Sequence, residues 1–319
     1  MGITIAGLGK AVPDKVLTNE ELSQMVDTSD EWIKSRTGIE ERHIAVTETT
    51  GELATKAALE AVRHSGLLVQ AIDLVIVATV SPDTTMPSTA CQVAKAIGAL
   101  KATCFDITAA CSGFIVASEV AISMIEKGGY QNALVIGAEV LSKMVDWEDR
   151  GTCVLFADGA GAAVYKKSQG NQVLAIETGA NPLGAEQIIL PAGVGNHIFY
   201  DVPVQKQAIY MSGKDVYVFA TTKVPESIKA VLEKEELMPA EIKWYILHQA
   251  NSRIMDSVAT KLGVEKERFF KNLSEYGNTS AASVPMALYD AQALLEPGDL
   301  VVLSGFGAGL TWGTMLLRW

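Results

Sequence analysis

An α/β fold built from two similar halves is predicted by three observations. β-branched apolar runs alternate with segments of helical period along the 319-residue chain. Their order, strand, helix, strand, helix, strand, helix, strand, strand, occurs once in each half, a βαβαβαββ pattern used twice. A polar, glycine-containing stretch, KKSQGNQ at 166–172, separates the two runs. The halves are therefore expected at 1–170 and 171–319, packed about a pseudo-twofold axis. The repeat is one of pattern, with little residue identity.

In the first half the apolar runs predict strands near 3–8, 73–80, 103–108, 132–138 and 160–166, and helices near 50–65, 88–98 and 111–127. In the second half they predict strands near 172–179, 243–248, 267–271, 299–304 and 311–318, and helices near 214–236, 251–262 and 280–294. Strands alternating with helices imply mainly parallel central strands.

Composition narrows the class. A hydrophobic fraction of 49% with 20% charged residues is that of an ordinary globular chain able to bury a large core. With 26 Lys and Arg against 37 Asp and Glu, the net charge of -11 argues against a nucleic-acid partner or an anionic membrane surface. The start, MGITIAGLGKAVP, lacks the basic and long apolar regions of a signal peptide, and Ala6 stands where a myristoylation signal needs Ser or Thr. LLVQAIDLVIVATV is broken by Gln70 and Asp73, so no membrane insertion is expected. Cys91, Cys104, Cys111 and Cys153 show no C-x-x-C spacing, which suggests neither metal nor disulfide framework and a reduced, cytoplasmic protein.

Within FDITAACSGFIVA, Cys111 opens the third predicted helix. A free cysteine is commonly a small buried residue. A thiol at a helix N-terminus beyond the carboxyl end of a strand is also where a thiolate gains from the dipole and where α/β folds collect ligands. YGNTSAASVP at 276–285 opens the matching helix of the second half, so a pseudo-dyad would bring the two helix starts face to face. Among the four histidines, His43 and His64 fall in polar or exposed contexts, and the reading gives no role to His197. His248, in WYILHQANSRIM, ends an apolar strand and precedes a helix. Cys111, His248 and Asn278 are thus expected at the same end of the sheets, as a catalytic set.

TAACSGF around Cys111, HQAN at 248–251, GNTSAASVP at 277–285 and GFGAGLTWG at 305–313 resemble the motifs of β-ketoacyl-acyl carrier protein synthase III, and DTSDEWIKSRTGIEERHI at 27–44 extends the likeness. This family is the initiating condensing enzyme of type II fatty acid synthesis. The resemblance implies a thiolase-like fold in a layered αβαβα body, with a short acyl-CoA and malonyl-acyl carrier protein as substrates. No cofactor or metal is implied, since acyl-CoA is itself a substrate.

By that resemblance Cys111 carries the acyl group, and His248 and Asn278 stabilise the enolate left by decarboxylation. The backbone N–H groups of Cys111 and Ala308 form the oxyanion hole; Ala308 stands where some relatives carry glycine. Thr28 and Glu31 at capping-box spacing predict a helix start that sets Trp32 and Arg36 on one face. Taken alone, Trp32 packed on the core with Arg36 solvated is the simpler reading. The resemblance instead makes Trp32 and Arg36 coenzyme A contacts, adds Arg150 on the far side of the adenine, and brings in Thr28 and Asn251. It also implies a homodimer, with Met86 bordering the acyl pocket near the interface. Arg253 and Lys261, near one face of the helix after His248, are expected to receive the acidic carrier protein, with Asp256 diluting the patch.

Other classes fit less well. A papain-type hydrolase has its cysteine near the mature N-terminus. Thiolases proper use a second cysteine, elongating synthases a second histidine, and Asn278 disfavours both. Hydroxymethylglutaryl and chalcone-type synthases share Cys-His-Asn, but the plant-type enzymes are longer and their motifs are absent. A related acyltransferase with another donor, or a non-catalytic acyl-binding homologue, stays open to test by alkylating Cys111.

Overall fold

A computed structural model of the chain describes residues 2–192 and 207–319; His197 lies outside the described residues. The first half begins with β1 (Gly2–Ala11). An excursion follows, made of β2 (Val16–Thr18), α1 (Asn19–Ser23), α2 (Asp30–Thr37) and β3 (Glu41–His43). The repeat unit resumes with α3 (Thr50–Ser65), β4 (Leu74–Ala78), α4 (Thr89–Ile97), β5 (Thr103–Ile107), α5 (Gly113–Glu126), β6 (Asn132–Val140) and β7 (Asp158–Ser168). The second half runs β8 (Val173–Ala180), a short pair β9 (Ile188–Ile189) and β10 (Tyr210–Met211), then α6 (Gly213–Lys234) and β11 (Trp244–Leu247). It closes with α7 (Ser252–Leu262), α8 (Leu273–Tyr276), α9 (Ser283–Ala291), β12 (Leu300–Gly307) and β13 (Thr311–Arg318). Among the described residues no helix is long and apolar enough to cross a membrane.

Two sheets result, ordered β1-β7-β6-β4-β5 and β11-β12-β13-β8. Strand alternation builds the layers. Leu74, Ile76 and Ala78 of β4 face a central layer that holds α5 and α9, while Val75 and Val77 face α3 and α4. In the other sheet Val301 and Leu303 of β12 face the same central layer, and Val302 packs toward α6 and α7. The order helix, sheet, helix pair, sheet, helix follows. α9 is buried along nearly its whole length, and α5 buries the apolar face that runs from Phe114 to Ile125.

The pseudo-symmetry is visible in the turns. α5 and α9 are each preceded by a 3-10 turn, Ala110–Ser112 and Ser280–Ala282. Ala110 and Ser280 carry the same positive φ, 46° and 47°. The halves interlock through glycines at matching strand positions. A Cβ on Gly137 of β6 would meet the Ala281 carbonyl at 2.1 Å, and one on Gly305 of β12 would meet the Cys111 carbonyl at 2.9 Å. Cys111 and Ala281 are thus counterparts, and the pattern supplies one thiol for two related positions.

Three expectations are corrected. The central strands are mixed: β4·β5, β4·β6 and β11·β12 are parallel, but β1·β7, β6·β7, β12·β13 and β13·β8 are antiparallel. The last strand of each half turns back beside its predecessor without a crossover helix, which forces antiparallel pairing. Segment 267–271 is no strand, and only Phe269 bridges to Tyr245. The Gln249 amide occupies the backbone there, donating to the Phe270 carbonyl at 3.1 Å and accepting from Asn272 N at 3.1 Å, so groups that would extend a ladder are taken. The α2 cap is Ser29, whose hydroxyl accepts from Trp32 N at 3.1 Å; Thr28 lies one residue too early for that reach.

Candidate active site

The chemistry-bearing residues sit where strands end. Cys111 lies in the 3-10 turn between β5 and α5, and His248 directly follows β11. Ala308 follows β12, and Asn278 precedes the turn that leads into α9. Cys111, His248, Asn278 and Ala308 all line one cavity of about 260 Å³, whose other walls are mostly apolar.

Each side chain is held in a definite state. The Asn278 backbone is clamped to Leu155 and Ala157 at 2.9 Å each, and its Oδ1 accepts from Ser280 N at 2.9 Å. That bond leaves the Nδ2 amide free to donate into the cavity. His248 is 2% exposed, packs edge-on against Phe306 with ring centroids 5.2 Å apart, and among the described residues has no partner on Nδ1. Burial pushes its pKa down to about 3, so the imidazole is neutral at physiological pH. Gly307 comes so close that a Cβ there would lie 2.8 Å from Cys111 N and 3.2 Å from its Sγ.

The Cys111 thiol departs from the expectation drawn from a helix N-terminus. Burial pushes it up to about 12, the neighbouring Ser280 hydroxyl pulls it down in part, and the Glu139 carboxyl pushes it up again. α5 begins two residues later, at Gly113, and its N-terminal benefit is set against a desolvated site. The resting residue is a thiol.

A second cavity of about 260 Å³ adjoins the first, and Gly151, Leu155, Tyr217 and Asn251 line both. Its walls include Trp32, Arg36, Arg150 and Arg253. The guanidinium carbons of Arg36 and Arg150 lie 5.3 and 5.2 Å from the Trp32 ring centroid. Arg150 is held by the Asp27 carbonyl at 2.8 Å. Asn251 caps α7 by accepting from Arg253 N at 2.8 Å and donates to the Arg36 carbonyl at 2.9 Å, which ties the two cavity mouths together.

Four residues fall outside these cavities. Thr28 lines neither, although its Oγ1 is buried without a partner among the described residues. Met86 is 83% exposed and lines neither cavity, because the loop before α4 carries it outward. Lys261 donates to the Thr221 carbonyl at 2.8 Å, which spends its ammonium on joining α7 to α6. Asp256 does not dilute Arg253, since it pairs with Lys271 at 2.7 Å and Lys266 at 3.3 Å. His43 bonds Pro13 and stacks on Tyr276, and His64 bonds Leu8, both away from the cavity. Among the described residues no group of three or more His, Cys, Asp or Glu could hold a metal ion.

Sequence reading passed over Ser280, Gly307 and Glu139. Ser280 lay inside a quoted motif, and Glu139, a carboxylate within the apolar run NALVIGAEV, was the one signal that could have been followed.

A thiol, a neutral imidazole and an amide donor at one end of an apolar cavity, on two related α/β units of five and four strands, define a thiolase-fold acyl-transferring enzyme. Residues 105–182 match the family model described as 3-Oxoacyl-[acyl-carrier-protein (ACP)] synthase III, and residues 232–319 match its C-terminal model. A β-ketoacyl-[acyl-carrier-protein] synthase III of Clostridium botulinum (strain Okra / Type B1) is 47% identical over 321 residues, covering 99% of this chain and 98% of the relative. That of Clostridium acetobutylicum is 46% identical over 320 residues, with 99% and 98% covered. The crystal structure of 3-oxoacyl-[acyl-carrier-protein] synthase III from Aquifex aeolicus VF5 superposes with a TM-score of 0.94 at 45% identity, over 100% of both chains. The chain belongs to the β-ketoacyl-[acyl-carrier-protein] synthase III family.

Proposed function

We infer that the two adjoining cavities carry the initiating condensation through an acyl group held on Cys111. The enzyme joins a short acyl-CoA to malonyl-acyl carrier protein, with loss of carbon dioxide, to give β-ketoacyl-acyl carrier protein at the start of fatty acid synthesis. Acyl-CoA is a substrate, and the reaction draws on no cofactor. The observation that carries the residue assignment is the meeting of Cys111, His248 and Asn278 on one apolar cavity.

In this reading the Cys111 sulfur attacks the thioester carbonyl, and coenzyme A leaves. The backbone N–H groups of Cys111 and Ala308 receive the oxyanion. Malonyl-acyl carrier protein then enters and loses carbon dioxide; Asn278 Nδ2 and a neutral His248 N–H donate to the enolate oxygen, and its carbon attacks the acyl group. A neutral imidazole is the better donor to a forming enolate, because it does not quench the carbanion with a proton. Trp32, Arg36, Arg150 and Asn251 hold coenzyme A at the outer cavity, with Thr28 beside them. Arg253 meets the acidic carrier protein, and Lys261 stays tied to the Thr221 carbonyl beside it.

The division into halves at 1–170 and 171–319, a homodimer and a cytoplasmic setting belong to the same proposal. The exposed Met86 would then border the acyl pocket of the partner copy. The test is to expose the enzyme to linear and branched acyl-CoAs and weigh the intact protein. Accepted starters should add their acyl mass to Cys111 and be discharged by malonyl-acyl carrier protein. No acyl mass, or labelling elsewhere, would favour a related enzyme with another donor.

A further inference from the structure

The two N–H groups assigned to the oxyanion come from opposite halves of the chain, Cys111 just before α5 and Ala308 just after β12. Both must point at one oxygen about 3 Å away, so a tertiary contact has to fix their spacing. Gly307 sets the limit from one side, because it leaves no room for a Cβ against Cys111 N. A pair of hydroxyls spans the gap on the other. Ser112, the residue after the thiol, is fully buried, and its Oγ donates to Oγ1 of Thr311, the first residue of β13, at 2.9 Å. Thr311 Oγ1 donates in turn to the Ala308 carbonyl at 2.8 Å.

Each hydroxyl has a single proton, and only the order Ser112 to Thr311 to Ala308 puts a proton in both of these contacts. The Ala109 carbonyl is the other acceptor within reach, 2.8 Å from Ser112 Oγ and 3.3 Å from Thr311 Oγ1. Spending either proton there empties one of the two contacts. The far end of the turn is tied separately, by two backbone bonds between Leu310 and Asn181 at 3.1 and 2.7 Å. Ala308 is thus held through its carbonyl by Thr311, and Thr311 by the buried hydroxyl beside the nucleophile. Neither hydroxyl residue lines either cavity.

We propose that Ser112 and Thr311 are positioning residues that keep the Ala308 N–H in register with the Cys111 N–H, and so set the rate of acyl transfer without meeting the substrate. The proposal rests on Cys111 being the acylated residue and on these two N–H groups receiving the oxyanion. Two reactions of the same sulfur separate this role from a purely structural one. Acyl transfer from acetyl-CoA builds an oxyanion on the way to the acyl-enzyme, whereas alkylation by iodoacetamide displaces iodide at a saturated carbon and builds none. A hydroxyl pair that only supports the fold, or only tunes the thiol, changes both rates alike. One that aligns the oxyanion donors changes the first alone.

Single-turnover acylation should be followed over a range of acetyl-CoA concentrations as acyl mass on intact protein, beside the rate of iodoacetamide alkylation and the melting temperature. Thr311→Val keeps the side-chain shape and loses the hydroxyl. It should slow acylation at saturating acetyl-CoA by about ten- to a hundredfold, the scale on which a misplaced donor acts, and leave the half-saturating concentration and the alkylation rate unchanged. Ser112→Ala should act in the same sense but less, since Thr311 still reaches Ala308. The double variant should be no slower than Thr311→Val, and Thr311→Ser should recover most of the rate. Thr311→Val that acylates at the wild-type rate overturns the proposal, and so does a fall of acylation and alkylation by the same factor. Should Thr311→Val not fold, Ser112→Ala with a wild-type acylation rate overturns it instead. Wild-type enzyme that gains no acetyl mass on Cys111 overturns the acyl-enzyme reading and the proposal together, so the wild type alone tells the two failures apart.

Discussion

Gly307→Ala should separate the backbone of the site from its side chains. Gly307 ends β12, and a Cβ built on it lies 2.8 Å from Cys111 N, 3.0 Å from Cys111 Cβ and 3.2 Å from Sγ, where 3.4–4 Å is ordinary contact. The nearest atom is backbone, so the turn must move by about half an ångström or the strand must yield. Overpacking of this kind costs about 1–3 kcal/mol of stability, a fall of several degrees in Tm for a chain this long. The added methyl also lies against the N–H assigned to the oxyanion. Loss of one such donor costs about 10²–10³ in rate, or roughly 2.7–4 kcal/mol. The assay is single-turnover acylation by acetyl-CoA, read as acyl mass on intact protein, on samples matched for folded fraction. Acylation should fall by about a hundredfold or more while the melting transition stays cooperative. A rate within about threefold of wild type would refute the assignment of the Cys111 N–H to the oxyanion.

Asn278→Ala and His248→Ala should still accept an acyl group while losing condensation, because both donors act on the enolate; either variant losing acyl transfer as fully as Cys111→Ser would end that division of roles. Trp32→Ala should raise the KM for acyl-CoA and spare the reaction of preacylated enzyme with malonyl-acyl carrier protein, and equal damage to both would point to misfolding. Arg253→Glu should raise the KM for the carrier protein and spare acyl-CoA. Lys261→Glu should add mainly a loss in Tm, since its ammonium already holds the Thr221 carbonyl. On pH, His248 is depressed from 6.5 to about 3, so the unfolded chain binds the extra proton and acid removes stability as pH falls from 6.5 toward 3. Glu139, raised from 4.5 to about 7, acts oppositely, its contribution fading as pH rises from 4.5 to 7. The two offset each other between 4.5 and 6.5, and below that His248 adds to the acid loss from carboxyls held down in the fold, Glu48, Asp83 and Asp256 among them. His248→Gln should therefore lessen the fall in Tm below pH 4.5 relative to wild type, and an unchanged acid slope would remove His248 as a cause.

The layered architecture was legible because short-range patterns record which face of each element is buried. The unbroken apolar run LVIVA reports a strand with apolar layers on both sides, and helical period over 50–65 reports α3 to the residue. Cys111, His248 and Asn278 could be picked out because each interrupts such a pattern at the end of an element. What depends on distant groups could not be read locally. Gln249 decides that 267–271 does not pair as a strand, and the reverse course of the last strands decides that the sheets are mixed. Arg150 reaches the Trp32 ring only because the 3-10-rich connection after β6 folds back beside α2. The state of the thiol is likewise a tertiary property. A helix start favours a thiolate wherever it occurs, but desolvation and a buried carboxylate oppose it, and both arise from how β6, α5 and the turn before α9 close around one atom.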